Sequence, residues 1–233
     1  LREHVDIVRL AFAGEKLVYS GRHHVLPRPG GDGKALRLAQ PANPQIPIYL
    51  ATLAPKALRY TGEAADGWVG TSFIPEAGDV LIAPIREGAA AAGRKPSEID
   101  LQAGGAVAFG ELEKLLPNYR GGVAFPVGAM GSRQANFYRA AFQAAGYQDA
   151  CEEIAGLWLQ GKREEATARV PDEMVIRTTL LGDDKQVSDR IRAYRDSRIT
   201  TLRLQPEGAT PSERLDTLGR VVDLVRAVER ETV

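Results

Sequence analysis

Residues 46–73, IPIYLATLAPKALRYTGEAADGWVGTSF, compress a strand, a tight turn, a helix and a second strand into 28 positions, which leaves a chain like this few ways to fold. Ile46, Ile48, Tyr49 and Leu50 form a short apolar run after Pro44 and Pro47, as a buried parallel strand does, and the run stops at the small residues Ala51 and Thr52. Pro55 falls where a helix tolerates proline, because the N–H lost there has no partner anyway. Leu58, Thr61, Gly62 and Ala65 keep helical spacing, and Asp66-Gly67 closes the helix ahead of Trp68-Val69. The result is a βαβ unit whose first turn aims free backbone N–H groups, and the positive end of a helix dipole, at any anion lying beyond Ala54. Trp68 reads as a core residue.

Composition narrows the partners. The 233 residues are 44% hydrophobic and 26% charged, enough to bury a sizeable core. Thirty basic side chains balance thirty acidic ones without a basic run, which argues against nucleic acid or an anionic membrane as partner. No apolar stretch approaches the roughly 18 residues of a membrane span and no signal peptide is visible, so the expectation is a cytoplasmic protein. Cys151, the single cysteine, lies on a helical pattern as a buried thiol. His23 and His24, adjacent in an extended segment, face opposite ways; with His4 isolated and Cys151 distant, no metal site is expected. Asp172 and Glu173, beside Pro171, read as a helix N-terminus or a solvated turn, and Glu63 and Asp66 as helix and turn residues.

Along the chain, strands alternate with helices. Residues 1–14 form an amphipathic helix, 16–25 an extended or hairpin segment, and 27–45 a Gly/Pro-rich loop. A helix is expected over 75–93, a strand over 101–109, a short helical piece over 111–119, and a glycine-rich connection over 121–131. Two helices cover 136–169; a helix over 185–197, a strand over 200–204 and a long final helix over 211–230 complete the pattern. Only four core strands emerge, and one domain over 1–233 is the economical reading.

The 46–73 string resembles the luciferase-like flavin and deazaflavin oxidoreductases, whose members carry a variant of it at the fifth strand and helix of a TIM barrel. Leu1 to Leu26 (LREHVDIVRLAFAGEKLVYSGRHHVL) is similar to the family's fourth helix and the segment after it, residues 128–175 to a late helical insertion, and LLGDDKQVSDRIRAYRDSRITTLRL to the last helix and strand. The resemblance implies an α/β fold of the TIM (β/α)8 class in which this chain holds strands five to eight. About a hundred N-terminal residues are then expected to be missing, or a second chain or oligomer partner to complete the sheet, because a half barrel leaves two open edges.

The resemblance also implies a cofactor. The anchor for its phosphate-bearing tail would be the N–H groups of Leu53 and Ala54 with the Thr52 hydroxyl; Thr71 and Ser72, at the end of the next strand, would join it, and Lys56 is a further candidate ligand. Asn136-Phe137-Tyr138 and the VPDE segment look closest to actinobacterial members using the deazaflavin coenzyme F420, which would pass a hydride between its C5 and a small organic substrate. FMN with monooxygenation is the alternative, since both cofactors present a phosphate to the same turn; a cofactor-free interaction module is another. Catalytic residues are not identifiable. One departure stands out: where the family has Ala-Gly-Val before the last strand, this chain has Ser197-Arg198-Ile199.

Overall fold

The computed structural model describes residues 1–132 and 135–231, whose strands build a five-stranded sheet in which every pairing is parallel, beside a small two-stranded hairpin. Helix α1 (Arg2–Phe12) leads into the hairpin β1 (Tyr19–Ser20) and β2 (Val25–Leu26). The 46–73 segment then folds as β3 (Tyr49–Leu50), α2 (Pro55–Ala64) and β4 (Gly67–Val69). A 3-10 turn, Pro75–Ala77, precedes α3 (Asp79–Ala91), and β5 (Asp100–Phe109) is the long central strand. Helices α4 (Leu112–Gly128), α5 (Phe137–Ala144), α6 (Gln148–Leu159), α7 (Arg163–Ala168) and α8 (Asp172–Thr178) intervene before β6 (Leu180–Gly182), α9 (Asp184–Asp196), β7 (Thr201–Pro206) and α10 (Pro211–Arg230).

The expected strands lie parallel in the order β3, β4, β5, β7. Among the described strands β3 pairs with β4 alone and β7 with β5 alone, so each presents one open edge. The fifth strand, β6, was not anticipated. Its three residues join the upper half of β5, Val107 opposite Leu180 and Phe109 opposite Gly182, and so short a run gives no alternation to read.

Two further expectations need correction. The piece over 111–119 and the connection over 121–131 are one continuous helix, α4. Val123, Ala124 and Val127 pack into a second apolar cluster with Phe142, Ile154 and Met174, and that burial outweighs the roughly 1 kcal/mol each that Gly121 and Gly122 cost a helix. Over 136–169 there are three helices rather than two, broken at Gly146 (φ 95°) and Gly161 (φ 78°), where glycine alone adopts the backbone without strain. Asn136, at the junction, is buried: its amide NH2 donates to the carbonyls of Pro126 and Val127 at the end of α4, while its oxygen accepts the Arg139 N–H at the start of α5.

The first cluster lies between the sheet and helices α2, α3, α9 and α10, around Leu58, Trp68, Ile85, Val107, Ile191 and Val221. Reciprocal capping boxes fix two of these helices, Asp183 with Gln186 on α9 and Thr210 with Glu213 on α10. Along β5 and β7, Leu101, Ala103, Leu202 and Leu204 turn to this core, whereas Gln102, Gly104, Thr201 and Arg203 take the alternate positions on the opposite, more open face.

Arg198 ends α9 in the left-handed region at φ 68°, with the Arg198 and Ile199 N–H groups closing back on the carbonyls of Arg195 and Tyr194. Glycine is free of the Cβ strain that arginine bears there, so Arg198→Gly is expected to stabilise the fold by about 1 kcal/mol in denaturant titration.

His4 is not isolated, as the sequence suggested: its ring meets His24 edge to face at 4.4 Å. Next to it Glu3 holds the hairpin to α1. Partial burial pushes the Glu3 carboxyl up, but hydrogen bonds from the His24 ring and from the N–H groups of His23, His24 and Arg22 outweigh it and bring the pKa down to about 2. A depressed carboxylate pKa gives stability that is complete above the ordinary value of 4.5 and is lost as pH falls toward 2. The backbone resonances of residues 22–24 are therefore expected to leave their native positions in that window, and in Glu3→Gln to show no such titration.

Candidate functional site

The turn after β3 is held from below. Trp68, fully buried, donates its indole N–H to the Thr52 carbonyl at 2.8 Å, so the end of β3 is pinned to β4 beside it. Thr61, buried on α2, donates its hydroxyl to the Ala57 carbonyl at 2.9 Å. The Thr52 hydroxyl lies 2.8 Å from that same Thr61 oxygen, and with the Thr61 proton committed, Thr52 is the donor of the pair. Ala54 caps α2 in an extended conformation with no side-chain cap, and Pro55 follows at the first helical position. Among the described residues no protein acceptor takes the N–H groups of Leu53, Ala54 or Lys56. Three such donors thus lie at the positive end of the α2 dipole, beyond the strand.

The neighbouring strand ends open on a cleft of about 360 Å3 lined by Thr71, Ser72, Gly104, Gly105, Tyr119 and Arg203, among others. Ser72 stands at φ 52°, a conformation that costs a non-glycine residue of order 1–3 kcal/mol and collects at functional sites. Gly104 and Gly105 leave the middle of β5 without side chains: a Cβ on Gly104 would lie 2.0 Å from the Arg203 carbonyl oxygen, and one on Gly105 2.4 Å from that of Thr178. Arg203 crosses this bare saddle and donates to the Gly70 carbonyl at 2.9 Å. Burial, with Glu207 nearby, raises the Tyr119 phenol to about 12, so it remains an O–H donor at any physiological pH.

The structure brings Thr52, Leu53 and Ala54 to the end of β3, and Thr71 and Ser72 to the end of β4 next to it. Lys56 goes elsewhere. It is exposed and lines clefts with Arg2, Glu3 and Tyr60 on the α1 side, not the cleft of Thr71 and Ser72. Arg203, Tyr119, Thr178 and Glu207 are cleft residues that sequence reading passed over. For Arg203 a signal existed, the alternation of Leu202 and Leu204 on either side of it; Tyr119 and Thr178 reach the cleft only through helix packing. Asp66 is structural, accepting the Ile48 N–H and the Arg9 guanidinium at 2.6 Å each. Asp172 and Glu173 open α8, and no group of three or more His, Cys, Asp and Glu among the described residues could hold a metal ion.

With a parallel α/β sheet and a cleft at the C-terminal ends of its strands, the geometry is that of the TIM-barrel enzymes. The sequence profile of the luciferase-like monooxygenase family matches residues 1–201, and the chain belongs to that family. It is 30% identical over 217 residues to a candidate coenzyme F420-dependent oxidoreductase of Mycobacterium tuberculosis, covering 86% of this chain and 60% of that protein. It is 33% identical over 102 residues, 43% of this chain and 28% of the relative, to the F420-dependent glucose-6-phosphate dehydrogenase of Mycolicibacterium fortuitum. Among solved structures, the coenzyme F420-dependent tetrahydromethanopterin reductase of Methanopyrus kandleri superposes with a TM-score of 0.72 at 23% identity, over 96% of this chain and 60% of that one. The chain therefore spans about three fifths of the first of these relatives. Among the described residues no helix is long and apolar enough to cross a membrane.

Proposed function

We propose that this chain carries the cofactor-tail site of an oxidoreductase that moves a hydride between the deazaflavin coenzyme F420 and a small organic substrate. The observation that carries the reading is the pair of N–H groups at Leu53 and Ala54 that have no acceptor among the described residues, at the positive end of the α2 dipole and beyond the strand next to that of Thr71 and Ser72. The relatives' dependence on F420 supports the choice of cofactor. The site fits such a group: free N–H donors at a helix N-terminus suit a phosphate. When bound, the deazaflavin would supply the hydride chemistry.

The chain's own residues would bind and orient. Leu53 and Ala54 would donate to the phosphate, each charge-assisted bond contributing roughly 1.5–3 kcal/mol. Thr52 would act through Thr61, fixing the turn, because its proton is already committed. Thr71 and Ser72 would flank the tail. Arg203, held by Gly70, would turn its remaining N–H groups toward a substrate carbonyl or carboxylate, with Tyr119 as a neutral donor across the cleft. Residues 1–233 would form one domain, with an insertion at about 128–175, supplying strands five to eight of a barrel; the open edges of β3 and β7 support this, and the remaining strands would come from further sequence or a second chain.

The test is a fluorescence titration with F420 and, in parallel, FMN. Wild type is expected to bind F420 in preference to FMN. Ala54→Asp places a carboxylate where the phosphate belongs and is expected to weaken F420 binding tenfold or more, about 1.4 kcal/mol, with Thr52→Ala losing less. Preference for FMN would replace the deazaflavin by the flavin. Equal F420 affinity in wild type and Ala54→Asp would make the turn purely structural and favour an interaction module without cofactor.

A further inference from the structure

We infer that the chain has a second small-molecule site, for a carboxylate with a short apolar tail, at the opposite end of the sheet from the cleft just described. The pocket, about 270 Å3, lies where α3 passes the start of β5 and the approach to β7. Ile82, Ile85, Ile99 and Leu101 make it largely apolar, and Arg86 and Arg198 bring it two guanidinium-bearing side chains. Such a volume suits a handful of carbon atoms, somewhat below the sites of drug-sized ligands.

The charge balance around the pocket gives the ligand its sign. An adjoining groove of about 430 Å3 shares Arg86 and Arg198 and carries three carboxylates, Glu76, Asp79 and Asp196. Each of these already has a cation: Glu76 pairs with Arg190, Asp79 with Arg86, and Asp196 with Arg195 at 2.9 Å. The Arg198 guanidinium makes no hydrogen bond or ion pair among the described residues, its backbone N–H alone being engaged, by the Arg195 carbonyl. It is thus the unmatched charge of both cavities.

Arg198 also occupies a position where arginine works against the fold. At φ 68° the αL cap of α9 favours glycine, and the helix's C-terminal carbonyls reward a cation only in part. Strained residues that persist where an unstrained choice exists point to a role beyond folding. A guanidinium at the mouth of an isoleucine-lined pocket matches a carboxylate head, which its planar fork can hold with two parallel hydrogen bonds, while the tail takes the place of water against Ile82 and Ile99. TIM-barrel catalysis is confined to the other end of the strands, so this site stands apart from the oxidoreductase reading and does not depend on it.

Octanoate is the probe, with 1-octanol as the same tail without the charge, read by calorimetry and by the methyl resonances of Ile82, Ile85 and Ile99. Octanoate is expected to bind saturably at millimolar concentration or below and to move those methyl signals, and octanol to bind at least tenfold more weakly. Arg198→Gly should weaken octanoate at least tenfold while its melting temperature holds or rises, so loss of binding cannot be ascribed to unfolding. Arg198→Lys should fall between. Octanol binding as tightly as octanoate, an unchanged affinity in Arg198→Gly, or no saturable shift of the isoleucine methyls would each overturn the proposal.

Discussion

Trp68→Ala is expected to destabilise the protein by about 3–5 kcal/mol, a fall in melting temperature of roughly 6–20 °C for a domain of this size. Trp68 is completely buried, sits among Leu58, Phe73 and the other residues of the first core cluster, and meets Phe73 edge to face at 5.8 Å. Truncation removes that packing, leaves a cavity between sheet and helices, and strips the Thr52 carbonyl of its indole donor. The second loss reaches the candidate site, because the same bond pins the turn that presents Leu53 and Ala54. Trp68→Phe separates the two effects: it keeps most of the apolar volume but not the N–H. It should recover much of the stability while still disordering the turn, which amide hydrogen exchange at residues 52–57 would report.

Gly88→Ala is expected to cost about 3 kcal/mol, the reverse of the usual gain of about 1 kcal/mol when alanine replaces glycine inside a helix. A Cβ on Gly88 would lie 1.9 Å from the Arg59 carbonyl oxygen, and its counterpart on Gly62 at 1.9 Å from that of Ile85. Helices α2 and α3 therefore touch backbone to backbone through these two glycines, and no rotamer change relieves the clash. The axis of α2, and with it the direction of its N-terminal N–H groups, depends on this contact. Chemical denaturation measures the loss. If Gly88→Ala proved neutral or stabilising, the two helices would have to pack farther apart than described.

Legibility in the sequence followed the physics of each element. The βαβ unit was readable because Pro55, the helical spacing of Leu58, Thr61 and Ala65, and the Asp66-Gly67 stop all act locally. The final helix was readable from end to end, since Pro211 marks its start and Leu215, Leu218, Val222 and Val225 keep helical spacing along it. Helix α4 was not, because what carries it through Gly121 and Gly122 is burial of Val123 and Val127 against helices distant in sequence. The candidate site divides in the same way. Thr52, Leu53 and Ala54 follow from the strand–turn–helix pattern, but the Thr52 hydroxyl is engaged by Thr61, a contact across nine positions that no local rule announces. Lys56 was legible as a first-turn lysine, yet its side chain leaves toward α1 because the helix face it occupies lies outside the sheet.

The claim that the turn after β3 receives the cofactor's phosphate is tested most directly by amide chemical shifts during titration with F420. Among the described residues nothing accepts from the N–H groups of Leu53, Ala54 and Lys56, and a phosphate oxygen placed among them would move those signals downfield, with Thr71 and Ser72 perturbed at the same midpoint. Saturable shifts concentrated at these residues, absent in Ala54→Asp, are the predicted result. Binding that leaves the Leu53 and Ala54 amides unmoved, or shifts centred on another part of the chain, would contradict it.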